Sequence, residues 1–324
     1  MIPHISVDEY ANFLAQEYLA TFVCEGGAAV KFAVVADDET ANALSVAVED
    51  RARRLGMRFV AVSAANTRIN LIHQLFFAVA SRLDWVALAQ KVVRKIPGDI
   101  WGTQVGGAVT ISQVASVLDI DELLVRTQIN KALSDRVMKD YSLAKDFRIA
   151  MTQMCLPELQ PEAFTEESRA SILEWLRGEL RLISAVKDKH IFHKVGRHSA
   201  RAMLASTSKW IAKAGECGLV LTLDLRQLAL SRRPDAVEGE FYYTPATVMD
   251  AYEVLRQFID ATDEMENLML LVLAPDALLD DSTNRGFPKY QALKNRIWDD
   301  VRDRDRVDPY APMVRVASAE GRSL

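Results

Sequence analysis

The sequence predicts an α/β fold, an open parallel sheet interrupted by a helical segment, on three observations. An apolar run over residues 28–36, broken only by Lys31, leads through a helical stretch at 40–55 to a second run at 57–63. Strand, helix and strand within about forty residues form a βαβ unit, the element of parallel sheets. Two further apolar runs, 218–224 and 268–274, resume the sheet, whereas residues 110–190 carry helical periodicity only.

The elements follow in order. Val7, Tyr10, Phe13, Leu14, Tyr18 and Phe22 recur at helical spacing after Ser6, a side chain suited to capping, and Gly26-Gly27 ends that helix. The runs at 28–36 and 57–63 lack polar alternation, as expected of strands buried on both faces. Leu71, Leu75, Phe76, Val79 and Leu83 predict one long helix over 69–95, ended by the Gly/Pro-rich stretch Pro97–Gly107. Pro157 and Pro161 punctuate the helical region. Between the last two strands lie a polar loop, Ser231–Glu240, and an amphipathic helix from about Pro245 to Ala261. The tail after Asp299 alternates Asp and Arg and is expected on the surface or disordered. The domain reading is an N-terminal core part at 1–96, a helical insertion at 97–192, and a C-terminal core part at 193–324.

Composition narrows the function. The chain has 324 residues, half of them apolar, with a net charge of −5. That balance argues against non-specific nucleic-acid binding by the chain as a whole, though a local basic face is compatible with it. Cys24, Cys155 and Cys217 are too few and scattered for a disulfide framework or a thiolate zinc site, so reduced thiols are expected. The first residues have no basic and then apolar pattern of a signal peptide, and no apolar run is long enough to span a bilayer. A cytoplasmic protein with no membrane association is expected.

Two segments bear on chemistry. The strand ending in Asp224 has the Walker B pattern, which delivers a carboxylate to the sheet's carboxyl edge to hold Mg²⁺. Active ATPases of the AAA+ type place Glu next; here Leu225 follows, which cannot polarise water. The phosphate loop pattern G-x-x-x-x-G-K-[ST] occurs nowhere in the chain. After the first strand comes Val35-Ala36-Asp37-Asp38-Glu39-Thr40-Ala41-Asn42, and then a helix.

Five stretches share an order with a known family: Gly26-Gly27-Ala28-Ala29-Val30-Lys31-Phe32; Lys194–Leu204; Tyr252–Asp260; Leu271–Asp276; and Arg285-Gly286-Phe287 with Tyr290-Gln291-Ala292-Leu293. In these the chain resembles the BrxD-type ATP-binding proteins of bacterial phage-defence (BREX) islands and their P-loop relatives. The resemblance implies a P-loop NTPase, AAA+-like parallel core. It also implies a subunit working with protein partners, namely ATPase or DNA-processing components of a defence or DNA-modification system. Aligned on Lys31-Phe32, the family's first loop glycine falls on Val35 and its Gly-Lys-Thr on Thr40, Ala41 and Asn42. Glycine, lysine and hydroxyl are thus lost from their places, and Asp37, Asp38 and Glu39 sit where phosphate would approach. Each such acid costs on the order of 1 kcal/mol against a triphosphate at a partly buried site. The resemblance implies a nucleotide position at Val35, Thr40, Ala41, Asn42 and Asp224, with Asp276 on the sensor loop. Arg285 and Arg296 become candidates for acting on a neighbouring subunit.

The expected protein is therefore a pseudo-ATPase with no cofactor. One alternative is a non-standard site at Asp224, Asp276 and Arg285 that binds ATP·Mg. Another is a DNA-binding adaptor using residues 110–133, whose helix-turn-helix rhythm carries Arg126, Gln128, Asn130 and Lys131 but also Asp119, Asp121 and Glu122. His190, His193 and His198 lack the spacing and companions of a metal site, and no G-x-S-x-G supports a serine nucleophile.

Overall fold

The computed structural model describes residues 3–231, 240–298 and 306–318. The chain divides into two compact units: Met1–Leu75 with Glu216–Leu324, and Phe76–Gly215. The first holds a six-stranded sheet of β1 (Ile5–Ser6), β2 (Ala28–Val35), β3 (Arg58–Ser63), β4 (Leu219–Asp224), β5 (Leu268–Pro275) and β6 (Met313–Ala317). Every pairing is parallel, in the order β1-β6-β2-β5-β4-β3. The α/β parallel-sheet fold expected for a P-loop NTPase-like core is present.

The helices run α1 (Val7–Phe13, continued as a π-helix to Val23), α2 (Asp38–Arg54), α3 (Ile72–Ala80), α4 (Trp85–Trp101), α5 (Ile111–Leu118), α6 (Glu122–Leu133), α7 (Lys145–Leu159), α8 (Glu166–Arg177), α9 (Arg197–Lys213), α10 (Pro245–Asp260) and α11 (Gln291–Ile297). The helices α4 to α9 lie within the second unit, whose interior includes the edge-on rings of Trp85, Phe147 and Trp210.

The central strands read as apolar runs because both faces are covered. On one face, Ala33 of β2 and Met269, Leu271 and Leu273 of β5 pack with Tyr10, Leu14, Leu44 and Val48 from α1, its π-helical continuation and α2. On the other, Phe32 meets Phe287 edge-on at 5.9 Å, and Phe287 lies 5.0 Å from Tyr252 of α10. The crossover leaving β2 therefore runs over one face, and the segment leaving β5 over the opposite face. Strands β2 and β5 are adjacent, so the switch point of the sheet lies between their carboxyl ends, where such folds open a crevice.

Lys31, the one charge in the apolar run of β2, is 3 % exposed. Its ammonium donates to the carbonyls of Tyr310 (2.7 Å) and Ala311 (2.9 Å) and lies over the ring of Tyr18. The charge is satisfied by the turn that leads into β6, and Phe32 N–H donates to Pro312 O beside it. Lys31 thus fixes the strand that follows.

Four expectations are corrected. The tail is not all surface: residues 313–317 form β6 inside the sheet, although residues 299–305 of the Asp/Arg run lie outside the described residues. The polar loop at 231–240 likewise lies mostly outside them. The long helix over 69–95 is two helices, because Asp84 turns its carboxylate back to accept from Ala87 N–H and starts α4 anew. Pro97 sits within α4, and the break comes at Gly102, whose φ of 70° suits glycine. Finally, Cys24 and Cys217 are disulfide-bonded, with Cα atoms 4.6 Å apart across 193 residues of sequence. The Asn267 side chain gathers the same two segments, donating to Val23 O and Cys217 O. Cys155 remains a buried thiol.

Replacing Lys31 with Met should lower the stability to urea by about 2 kcal/mol, since it leaves buried carbonyls unmatched. Unchanged stability would show that the 309–311 turn does not need the ammonium.

Candidate functional site at the carboxyl edge of the sheet

Strand β2 ends at Val35 and α2 begins at Asp38, so only Ala36 and Asp37 join them. The residues aligned with a phosphate loop are thus a strand end and a first helical turn. Val35, Thr40 and Ala41 are buried at 1 %, 1 % and 0 % exposure, and only Asn42 of the four is open. Glycine-rich loops hold phosphate by presenting backbone N–H groups over several residues. Here Asp37 adopts an extended N-cap conformation and its carboxylate accepts from Thr40 N–H at 2.7 Å. The helix end that would face a phosphate carries an internal carboxylate. That backbone hydrogen bond holds the Asp37 carboxyl below the usual carboxylate range. A depressed acid stabilises the fold above its ordinary pKa and loses that contribution as pH falls through the lowered one.

Asp224 closes β4 in register with Leu273 of β5, and the next residue, Leu225, donates its N–H to Leu273 O. Two residues on, Arg226 turns back over the sheet edge. Its backbone N–H donates to Asp224 Oδ1 at 2.9 Å, and its Nε lies 3.0 Å from both carboxylate oxygens. Nη2 donates to Asp224 Oδ2 at 2.7 Å and to Asn42 Oδ1 at 3.2 Å. Nη1 reaches Asp38 Oδ1 at 2.7 Å and Asp38 O at 3.4 Å. A guanidinium has five N–H donors, and this one has an acceptor for each. The hydrogen bond to Asp224, followed by the charges of Asp224 and Asp38, holds Arg226 well above even its ordinary range. Arg226 therefore ties the Walker B-like carboxylate to the first turn of α2, across the end of β5.

The other expected site residues are engaged elsewhere. Asp276, after β5, pairs with Arg315 of β6. Arg285 is 4 % exposed; its guanidinium donates to Leu228 O at 3.1 Å and Tyr242 OH at 2.8 Å, and its own carbonyl accepts from Tyr252 OH. Arg296 grips Asp260 and donates to Ala292 O. The structure brings Asp224 and Asn42 together, and places Asp276, Arg285 and Arg296 in separate sets of contacts.

Sequence reasoning missed Arg226 and the capping role of Asp37. Both had a local signal. An arginine two residues after a strand-terminal aspartate can fold back on it, and Asp37 stands three residues before the N–H it caps.

In the second unit, residues 110–133 form the helix-turn-helix outline of α5 and α6, with Asp119 at φ 54° in the turn and Asp121 capping α6. The start of α6 presents Leu123 and Leu124, 71 % and 50 % exposed, and Arg126 pairs with Glu122. Among the described residues no group of His, Cys, Asp or Glu is arranged to hold a metal ion.

The model of the BREX system ATP-binding protein BrxC/D family matches residues 99–324, more than two thirds of the sequence. The chain belongs to this family. The match includes Asp224, Arg226, Asp276, Arg285 and Arg296, and starts beyond β2, α2 and β3. Comparison with curated proteins and with solved structures gave no match. Among the described residues, no helix is long and apolar enough to cross a membrane.

The Arg226–Asp224 pair is only partly exposed, at 26 % and 17 % of the side chains. A double-mutant cycle of Arg226→Met and Asp224→Asn, read by urea unfolding, should give a coupling of about 1–2 kcal/mol. A coupling near zero would mean the contact does not hold the crevice together.

Proposed function

We propose that this BrxC/D family member is a non-catalytic subunit of a bacterial phage-defence complex, acting through protein partners that hydrolyse ATP or process DNA. The observation that carries this reading is the five-donor contact of Arg226 with Asp224, Asp38 and Asn42. For Mg²⁺ to reach Asp224, it would have to displace a guanidinium that already neutralises the carboxylate. A triphosphate would meet the Asp37 carboxylate at the helix end and Asp38 beside it. Both contacts raise the cost of binding in the usual P-loop mode.

Two further features agree. The two-residue connection after β2 offers no loop to wrap a phosphate chain. Leu225, fully buried, stands where an active site of the AAA+ type places its water-polarising glutamate. Arg285 and Arg296, occupied by partners of their own, do not enter the proposal as arginines donated to a neighbour. A non-standard nucleotide site at Asp224, Asp276 and Arg285 would need three separate sets of contacts to be dismantled. What remains for function is a sheet-and-helix scaffold with its surfaces, which suits a subunit that positions others.

Calorimetric titration of the purified chain with ATP·Mg to about 1 mM should give no saturable heat, and its phosphate release should match buffer. Micromolar binding abolished by Asp224→Ala would overturn the proposal.

A further inference from the structure

The net charge of −5 hides an asymmetry between the two units. The sheet-bearing unit has 19 Lys and Arg against 29 Asp and Glu, whereas the helical unit has 20 against 15. The excess positive charge of the helical unit is local. Residues 181–201 hold six Lys and Arg, three of the five histidines, and a single acid, Asp188. The helix-turn-helix at 110–133, by contrast, has two basic residues against three acids.

The segment is built to show its charge. Its backbone is a 3-10 turn over Ile183–Lys189, an irregular stretch, and the start of α9. Buried Val186, Ile191 and Val195 anchor it, and Trp175 Nε1–H donates to His193 O. The intervening side chains of Arg181, Lys187, His193, Lys194 and Arg197 face solvent. Lys194 donates to the carbonyl of Arg181, which brings the two ends of the stretch together. Arg181, Lys187 and Arg197 form no ion pair among the described residues, whereas Asp188 is already paired with Lys189. Glu174 and Glu179 are the nearby acids on the preceding helix and turn. Between Lys187 and Lys194 in the sequence stands Phe192, a large apolar ring 53 % exposed.

We infer that the 181–197 face of the helical unit binds single-stranded nucleic acid. Unpaired cations along an irregular backbone suit a flexible phosphate chain, whose binding is driven by counterion release. An exposed aromatic ring in the same stretch offers a stacking platform for an unpaired base, which a duplex does not present. Charge alone would suit any polyanion; the ring selects the single strand.

The test is fluorescence anisotropy of the full chain with a labelled 20-nucleotide oligo(dT), the matching duplex, and heparin as competitor. At about 50 mM salt the wild type should bind the single strand more tightly than the duplex, with affinity falling steeply as salt rises. The double variant Lys187→Gln/Arg197→Gln leaves the Lys194 contact intact; it should bind about tenfold more weakly, with a salt slope smaller by about 1.4. Phe192→Ala should bind at least about fivefold more weakly with the slope unchanged, as expected for a lost stacking contact. Thermal melts of both variants should match the wild type, because the altered side chains are exposed. The inference is overturned by three results: no binding at low salt, equal affinity for duplex and single strand, or a folded double variant that binds like the wild type.

Discussion

The arrangement at the carboxyl edge of the sheet depends on one ion pair, that of Arg226 with Asp224. The strand order forces a crevice there, since β2 and β5 are neighbours whose connections leave over opposite faces. In P-loop folds a bound phosphate chain and its metal fill that place with charge. Here the chain fills it with its own groups, a guanidinium that spans from β4 to α2 and a capping carboxylate at the helix end. Once Arg226 is seated, its remaining acceptors, the Asp38 carboxylate and the Asn42 amide oxygen, have their orientation, and the connection after β2 is only two residues long. On the proposed reading, the carboxylate that would hold a metal already has its partner within the chain.

The fold around it is held from the opposite side by quieter constraints. Lys31 satisfies its buried charge with the carbonyls before β6, which seats that strand next to β2. Asn267, itself at a positive φ of 53°, lies at the amino ends of β4 and β5 and joins the segments that carry Cys24 and Cys217. Its carbonyl accepts from Leu219 N–H, and a side chain at Gly218 would collide with that oxygen at 2.4 Å. The disulfide and Asn267 thus bring together stretches of the first unit that the helical unit separates in sequence.

Much of this was legible. The four long strands announce themselves because a parallel sheet covered on both faces demands continuous apolar runs. The passage from β2 into α2 followed from the first of those runs, and the helical character of residues 110–190 from their periodicity. What was illegible shares a cause: it depends on partners distant in sequence. Strand β6 follows a charged run and is five residues long with Arg315 at its centre, and only its pairing with β2 and β1 marks it as sheet. The disulfide joins cysteines 193 residues apart. Arg226 could be suspected beside Asp224, but its reach to Asp38 and Asn42 exists only after folding. Asp84 hid inside a helical pattern whose apolar positions continue through the break.

The central claim is that Arg226, not a nucleotide's metal, is the partner of Asp224. Its most direct test is a crystal structure of the chain grown with a non-hydrolysable ATP analogue and Mg²⁺ at millimolar concentration. The account predicts that the guanidinium of Arg226 remains bidentate on Asp224 and that Asp37 still caps α2. A Mg²⁺ ion held at Asp224, with Arg226 swung out and phosphate oxygens at the start of α2, would contradict it.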